Sequence, residues 1–121
     1  RFFKAMIAFR KAHPSIARGR YWRDDVLWYG TAAGVDLSQD SRSLAYFLRG
    51  SRLGDNDLYV MINACWEDTE FTIQQGQAEQ WRRIVDTSLA SPDDIEETGK
   101  GHPISALRYV VKARSIVVMV R

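Results

Sequence analysis

The sequence predicts a mainly β protein, an antiparallel Greek-key β-sandwich of about seven strands preceded by one α-helix. Three observations support this fold class. Short runs rich in β-branched and aromatic residues recur at close spacing, turns rich in Gly, Asp and Ser separate them, and helical periodicity does not extend beyond residue 16. Strands that follow one another without intervening helices favour an antiparallel sandwich over a parallel sheet.

The composition is that of one ordinary globular domain, with 121 residues, 45% of them hydrophobic and 26% charged. It excludes intrinsic disorder, and a net charge of +2 is too small to indicate a polyanionic partner. The one cysteine, Cys65, excludes an intrachain disulfide and is expected to be a small buried residue of a strand core. Because no secretory leader or membrane-spanning apolar run is recognisable, we expect a cytoplasmic protein without a membrane partner.

Residues 2–10 predict the helix, because their apolar residues recur at helical spacing. The His13-Pro14 pair ends it, since a proline disfavours the helical conformation in the residue before it. The apolar face is wide for so short a helix. We therefore expect part of this face to pack on a further surface.

The next residues predict short strands joined by loops, because apolar runs alternate with stretches rich in Gly, Asp, Asn and Ser. Asp24-Asp25 separates the first two strand candidates. The segments are, in order, strands at residues 21–22 and 26–29, a loop at 30–43, a strand at 44–48 and a turn at 50–57.

Residues 58–73 predict the centre of the sheet structure. The first half is nearly continuously apolar and too short for an average helix, which indicates a strand covered on both faces. In the second half Phe71 and Ile73 alternate with polar residues, as in a strand with one solvated face. The polar segment between the two halves is short, which predicts that they pair as an antiparallel hairpin.

Residues 81–87 predict a strand in which Trp81 and Val85 are in phase. Ile84 is out of phase, which indicates a β-bulge. The final strand candidates are residues 107–112 and 115–120.

An acidic segment, residues 91–103, precedes these last two strands. Its Ser91-Pro92 step resembles a helix start, with serine as the cap, proline at the first position and acidic residues in the first turn. Gly99 and Gly101 limit any helix there to a turn or two.

Residue types that carry catalysis or bind metals are present but not clustered. With one cysteine and two separated histidines, His13 and His102, a structural zinc site and a cysteine–histidine nucleophile are both disfavoured. The acidic pairs are adjacent in sequence, so their side chains diverge instead of facing each other across a sugar, and they lack calcium-loop spacing. We therefore assign no catalytic residue, no metal ligand and no cofactor. The pairs are Asp24-Asp25, Asp93-Asp94 and Glu96-Glu97.

The tryptophans are candidates for sugar contact, because flat aromatic rings stack on the apolar faces of sugars, although large aromatic residues also serve as core or edge fillers. Trp22 and Trp28 lie in polar, loop-like surroundings. We select them, with Tyr29, as candidate carbohydrate contacts. Trp66 and Trp81 rank below them.

Basic residues surround two of the aromatic residues, an arrangement that can bind nucleic acid. A solvated strand edge, in which arginine stems cover aromatic rings, explains the same pattern. We therefore expect no nucleic-acid partner. The residues concerned are Arg18, Arg20 and Arg23 around Tyr21 and Trp22.

Six motifs in one order resemble the C-terminal domain of isoamylase-type glycogen debranching enzymes, in the α-amylase superfamily of glycoside hydrolases. The chain departs from that family at Cys65-Trp66, where members often carry His, and at Gln74-Gln75, where Pro is frequent. The motifs are Phe-Arg-Lys-Ala-His-Pro-Ser-Ile at 9–16, Asp-Val-Leu-Trp-Tyr at 25–29 followed by Gly34, Arg-Ser-Leu-Ala-Tyr-Phe-Leu at 42–48 followed by Gly50, Asn-Ala at 63–64 with Glu67 and Phe-Thr-Ile at 71–73, Trp81 with Val85 and Asp86-Thr87, and Tyr109-Val110 with Ala-Arg-Ser-Ile-Val at 113–117.

The resemblance implies a division of labour within a longer polypeptide. In such enzymes a (β/α)₈ barrel hydrolyses α-1,6 linkages of glycogen with retention, using an Asp nucleophile and a Glu acid/base that have no counterpart in this chain. Residues 1–16 then correspond to the end of the last barrel helix, and residues 17–121 to a β-sandwich that packs on the barrel, its partner. The alternative is an independent module that binds α-glucan.

Overall fold

The computed structural model describes residues 1–17 and 24–121. Helices α1 (Phe2–Ala12) and α2 (Pro14–Ala17) come first, and short 3₁₀ helices form at Ser51–Leu53 and Ala78–Gln80. The expected strand at 21–22 lies outside the described residues. The strands that are described are β1 (Val26–Tyr29), β2 (Ser43–Leu48), β3 (Leu58–Asn63), β4 (Thr69–Thr72), β5 (Arg82–Asp86), β6 (His102–Pro103), β7 (Arg108–Val111) and β8 (Ser115–Val120).

The strands form two antiparallel sheets, which confirms the predicted mainly β, antiparallel fold. Six strands make the larger sheet in the order β1-β2-β3-β8-β5-β6, and β4 pairs with β7 in the smaller one. The last strand of the chain, β8, lies between β3 and β5, so these neighbours are not consecutive in sequence, whereas β1, β2 and β3 lie side by side in chain order.

Strand β3 is covered on both faces, as its continuous apolar run predicts. Tyr59 and Met61 point into the core between the two sheets, which we call the inter-sheet core. Leu58 and Val60 point to the opposite face, where α1 covers the sheet, and belong to the helix-side core. Because side chains alternate along a strand, a strand buried on both sides needs apolar residues at every position.

The inter-sheet core contains the largest buried aromatic residues. Phe71 and Ile73 reach it from the smaller sheet and its continuation, as their alternation predicts, while Glu70, which precedes Phe71, is exposed. The buried members are Ala45, Phe47, Tyr59, Met61, Phe71, Ile73, Trp81, Val111, Val117 and Met119.

The predicted hairpin between the two halves of residues 58–73 is wrong. Strand β3 pairs with β2 and β8, whereas β4 pairs with β7 in the other sheet. The intervening loop crosses from one layer to the other, so that Phe71 faces Met61 and its neighbours across the core instead of lying beside them. A hairpin would have left one of these two apolar faces without a covering layer.

The bulge predicted at Ile84 is confirmed. Arg83 pairs with Met119 and Val85 with Val118, so Ile84 has no residue opposite it on β8. The predicted phase of Trp81 and Val85 is wrong, because the extra residue turns Val85 to the other face of the sheet. Trp81 lies in the inter-sheet core, and Val85 lies with Ile84 in the helix-side core.

The helix start predicted at Ser91-Pro92 is also wrong, because residues 91–94 and 97–98 form turns instead of a helix. Ile95 is buried and makes an isolated bridge with Val85. The carboxylate of Glu96 accepts the backbone N–H groups of Thr98 and Gly101, both at 2.9 Å. These local contacts satisfy backbone donors that a helix would have paired with its own carbonyls.

Phe71 tests the two-layer arrangement. We expect Phe71→Ala to lower the free energy of unfolding by about 3–5 kcal/mol, because it leaves a cavity where the smaller sheet packs on the larger one. The neighbouring Glu70→Ala, on the solvated face of the same strand, should change it by less than about 0.5 kcal/mol. Urea denaturation measures both, with Phe71→Leu as a milder variant. Equal effects of the two alanine variants would contradict the assignment of β4 to a separate covering layer.

Candidate functional site

Helix α1 has two apolar faces. Phe2, Met6 and Phe9 pack on the helix-side core. Phe3 and Ile7, one helical turn apart, lie on the other side and are 82% and 56% exposed. Only the inner face is therefore covered by the sheet within the described structure, which agrees with the wide apolar face of the sequence.

A buried carboxylate fastens the end of α1 to the sandwich. Asp55 accepts hydrogen bonds from the Ser15 hydroxyl at 2.6 Å and the Ser15 backbone N–H at 3.1 Å. Its other oxygen lies 2.7 Å from Nδ1 of His13. Burial opposes ionisation of Asp55, but the bonds from Ser15 and His13 outweigh it and lower the pKa of this carboxyl. We call these three residues the Asp55 clamp.

The Asp55 clamp contains the residue types of a hydrolytic triad but not its arrangement. In a triad the hydroxyl donates to the histidine, which then accepts its proton. Here Ser15 and His13 both bind the same carboxylate. The serine hydroxyl is directed to Asp55 instead of a base, so the geometry orients the helix end and does not activate a nucleophile.

A cleft of about 580 Å³ lies between α1 and the acidic segment. Arg1 closes one end of it through an ion pair with Asp94 and a second with Glu97 at 3.4 Å. Glu96 also lines the cleft. Burial opposes its ionisation, but hydrogen bonds from Gly101 and Thr98 lower its pKa to about 2. With so low a pKa, the Glu96 carboxyl is ionised near neutral pH and has no proton to donate there.

The two candidate sugar contacts in the described part of the chain, Trp28 and Tyr29, do not form one platform. Trp22 lies outside the described residues. Trp28 and Tyr29 are neighbours on β1 and so point to opposite faces of the sheet. Trp28 is 51% exposed and packs on Tyr46, with ring centroids 5.5 Å apart. The Tyr29 ring stacks on Tyr59, and its hydroxyl accepts a hydrogen bond from Gln75 at 2.8 Å.

Trp66 is the most exposed tryptophan in the described part of the chain, at 69%, whereas Trp81 is fully buried. Its loop, residues 64–68, joins β3 to β4 and crosses between the layers. Cys65 lies in this loop and is partly exposed, so its predicted position inside a strand core is wrong. Strand β3 ends at Asn63, where the chain leaves the larger sheet, although the apolar pattern continues through Cys65 and Trp66.

The Asp-Thr motif at 86–87 has a structural role. Buried Asp86 accepts hydrogen bonds from the Ser88 hydroxyl and the Tyr109 hydroxyl, both at 2.6 Å. Burial, followed by the bond to Asp86, raises the pKa of Tyr109. Thr87 accepts the backbone N–H of Ile116 at 2.9 Å. The bond to Tyr109 connects β5 to β7 in the other sheet, and the bond to Ile116 connects the end of β5 to β8 in the same sheet.

Metal and membrane features were sought in residues 1–17 and 24–121. Within those ranges, no three side chains of His, Cys, Asp or Glu are grouped so that they could hold a metal ion. None of the described helices combines the length and the apolar character that crossing a membrane requires.

Comparison with known proteins identifies relatives over most of the chain. The sequence profile of the family "Isoamylase, C-terminal" matches residues 30–120. "Isoamylase 3, chloroplastic" of Oryza sativa subsp. japonica is 31% identical over 98% of the chain, which spans 15% of that protein. "Isoamylase" of Pseudomonas amyloderamosa is 33% identical over 71% of the chain and 12% of its own length.

A solved structure supports the fold independently. "Pullulanase from Bacillus acidopullulyticus" superposes on 99% of the chain with a TM-score of 0.64, at 20% sequence identity. The chain covers 13% of that structure. In each of these comparisons the chain therefore matches a small part of a much longer protein.

The Asp55 clamp predicts a pH-dependent contribution to stability. We expect Asp55→Asn to cost about 1–3 kcal/mol at pH 7, because the amide places a donor against Ser15 or His13. The pKa of Asp55 is lowered in the folded chain, so the contribution is present above the unfolded value of 3.8 and is lost as the pH falls through the folded pKa.

Denaturation with urea at pH 7 and pH 3 measures this effect. The difference in the free energy of unfolding between the wild-type chain and Asp55→Asn should be smaller at pH 3 than at pH 7. Asp40→Asn, at an exposed position, is the matched control and should leave stability unchanged at both pH values. A difference that stays constant between the two pH values would show that ionised Asp55 is not the stabilising species.

Proposed function

Because the chain belongs to the isoamylase C-terminal family, we propose that it is the non-catalytic β-sandwich domain of an isoamylase-type glycogen debranching enzyme. The parent polypeptide would hydrolyse α-1,6 linkages of glycogen on a (β/α)₈ barrel. The sandwich would pack on that barrel and stabilise it, with residues 1–16 as the end of the last barrel helix and residues 17–121 as the accessory domain.

The two-faced helix α1 is the observation that carries this proposal. Its inner face is already packed on the sheet, while Phe3 and Ile7 expose a second apolar stripe. A helix that is apolar on two sides is typical of an element buried between two layers. A catalytic barrel on the outer side of α1 would cover that stripe and place the helix between the two domains.

The absence of a catalytic role for this chain is supported by how its carboxylates are used. Asp55 and Asp86 are bound by side chains that connect elements of the fold, and Glu96 is held by the backbone of its own turn. Retaining glycosidases need two carboxyl groups about 5–5.5 Å apart across an open cleft, one of them with a raised pKa. The pKa values of Asp55 and Glu96 are lowered instead.

A second candidate function is binding of α-glucan by the sandwich itself. Trp28 supports it, because about half of its surface is exposed and its ring is held against Tyr46. Trp22 and Tyr29 remain candidate contacts in this proposal, although the Tyr29 ring and hydroxyl already have protein partners.

A cytoplasmic location belongs to the same proposal. It is supported by the composition, since the sequence has one cysteine and no disulfide framework. The rice relative is named as chloroplastic, so the stroma of a plastid is the competing compartment. Fractionation of cells that express the full-length polypeptide distinguishes the two.

The non-catalytic role predicts that the purified chain releases no linear chains from glycogen. The measurement is the appearance of new reducing ends and short linear glucans after prolonged incubation. The full-length polypeptide serves as the positive control. Any release by the chain alone above a heat-denatured sample would contradict the proposal.

The apolar stripe of Phe3 and Ile7, which the proposal places against the barrel, predicts that their substitution has different effects on stability in the isolated chain and in the full-length polypeptide. The double variant Phe3→Ser/Ile7→Ser should change the stability of the chain by less than about 1 kcal/mol, since both residues are exposed. In the full-length polypeptide the double variant should destabilise the proposed contact between α1 and the barrel by roughly 3–6 kcal/mol, because two large apolar side chains lose their burial.

Thermal unfolding of both proteins measures the effect. Leu37→Ser is the control, because Leu37 is 89% exposed and lies in the loop before β2, away from α1 in sequence. If the double variant and the control unfold at the same temperature in the full-length polypeptide, α1 does not contact the barrel as proposed.

A further inference from the structure

We propose that Trp66 is the stacking platform of a surface site for an α-glucan chain, at the end of the sandwich opposite to the Asp55 clamp. The ligand class rests on the proposed function, since the parent enzyme would act on branched α-glucan. The position of the site rests on the geometry of the loop at residues 64–68.

The loop presents Trp66 in a fixed position. A lone exposed apolar residue is ordinary in a globular protein, so exposure alone carries little information. Trp66 differs because Asn63, at the base of the loop, is buried and forms four hydrogen bonds. Its side-chain amide donates to the carbonyls of Glu67 at 2.9 Å, Val111 at 3.0 Å and Lys112 at 3.2 Å, and its oxygen accepts the Cys65 N–H at 2.9 Å.

The far side of the loop is fastened to the turn between β7 and β8. Asp68 accepts the backbone N–H of Ala113 at 3.0 Å and pairs with Lys112 at 3.2 Å. The backbone N–H of Arg114 donates to the carbonyl of Cys65 at 2.9 Å. Both neighbours of Trp66 are thereby held. An aromatic ring presented by a rigid loop loses little conformational entropy when a ligand stacks on it.

Polar groups suited to sugar hydroxyls accompany the ring. Glu67 follows Trp66 in sequence, and Arg114 is brought beside Cys65 by the backbone bond. Both residues are exposed, and neither side chain forms an ion pair with another described residue. Residues with a carboxylate and a guanidinium thus flank Trp66 in the loop and the adjoining turn, and ligand sites use polar groups of these types for orientation.

Arg114 adopts φ of 52°, a left-handed conformation that favours glycine. An arginine at this position accepts a backbone conformation that is less favourable for a residue with a side chain. Strained residues of this kind cluster at ligand sites. Replacing Arg114 by glycine therefore removes the guanidinium and relieves the backbone at the same time.

The Trp66 loop and the Asp55 clamp lie at opposite ends of β3. β3 runs from Leu58, near the Asp55 clamp, to Asn63 at the base of the loop. Its length is roughly 17 Å at about 3.3 Å per residue. The proposal therefore assigns contact with the barrel to Phe3 and Ile7 of α1, and contact with glucan to the loop at the other end of β3 from the Asp55 clamp.

The test is affinity electrophoresis of the folded chain in native gels that contain glycogen. We expect the wild-type chain to be retarded and Trp66→Ala to lose retardation, with an apparent dissociation constant at least about tenfold higher, as for loss of a central aromatic contact. Trp66→Phe, which keeps an aromatic ring, should recover part of the retardation. Arg114→Gly should weaken retardation while the unfolding temperature stays unchanged or rises.

Leu37→Ala is the control for loss of an exposed apolar side chain, since Leu37 is 89% exposed and lies in the loop before β2. It should be retarded like the wild type. Absence of retardation in the wild-type chain would overturn the site, and so would loss of retardation in Trp28→Ala with retention in Trp66→Ala. A lower unfolding temperature of the full-length polypeptide carrying Trp66→Ala would also overturn it, because Trp66 would then be covered by another domain.

The test separates this inference from the proposed function. A full-length polypeptide that debranches glycogen, together with a chain that is not retarded, refutes the Trp66 site alone. A chain that is retarded through Trp66, together with a full-length polypeptide that does not debranch glycogen, refutes the proposed enzyme and leaves the binding site in place.

Discussion

Burial of β3 and β8 on both faces is the constraint that determines the layers of this structure. Val117 and Met119 of β8 face the inter-sheet core, while Val118 and Val120 face the helix-side core. Two covering layers are needed, because each apolar face must be removed from water. The β4–β7 pair covers one face, and α1 covers the other. Within the described structure, α1 is therefore a covering layer of the larger sheet.

Buried polar residues fix how these layers are joined. Asp55 connects the end of α1 to the sandwich, Asp86 connects β5 to Tyr109 of β7, and Asn63 directs the chain out of β3 toward the smaller sheet. Each is hydrogen-bonded, as buried polar groups must be to avoid a desolvation cost. Apolar packing alone would allow the layers to slide, whereas these bonds specify one arrangement.

Local sequence predicts the strands of this fold better than their partners. Periodicity identifies β3, the shared face of Phe71 and Ile73, and the bulge at Ile84. It does not distinguish a hairpin from a crossover between sheets, because both place the same residues in the core. The helix prediction for the acidic segment is wrong for a related reason: Ile95 is buried against Val85 of β5, and this tertiary contact overrides the local helix pattern.

The candidate site was less predictable, since side-chain exposure depends on where the chain leaves the sheet. The apolar run through Cys65 and Trp66 continues the pattern of β3 without a break, and the hydrogen bonds of Asn63 that end the strand involve Val111 and Lys112, far away in sequence. The polar residues around Trp28 in the sequence favoured it as a sugar contact, but in the structure its ring packs on Tyr46. The motif residues that carry the family resemblance, such as Asn63 and Asp86, are buried and report on the fold. Trp66 lies where the chain departs from the family pattern, so glucan binding there would be a property of this chain and not one that the fold confers on every member.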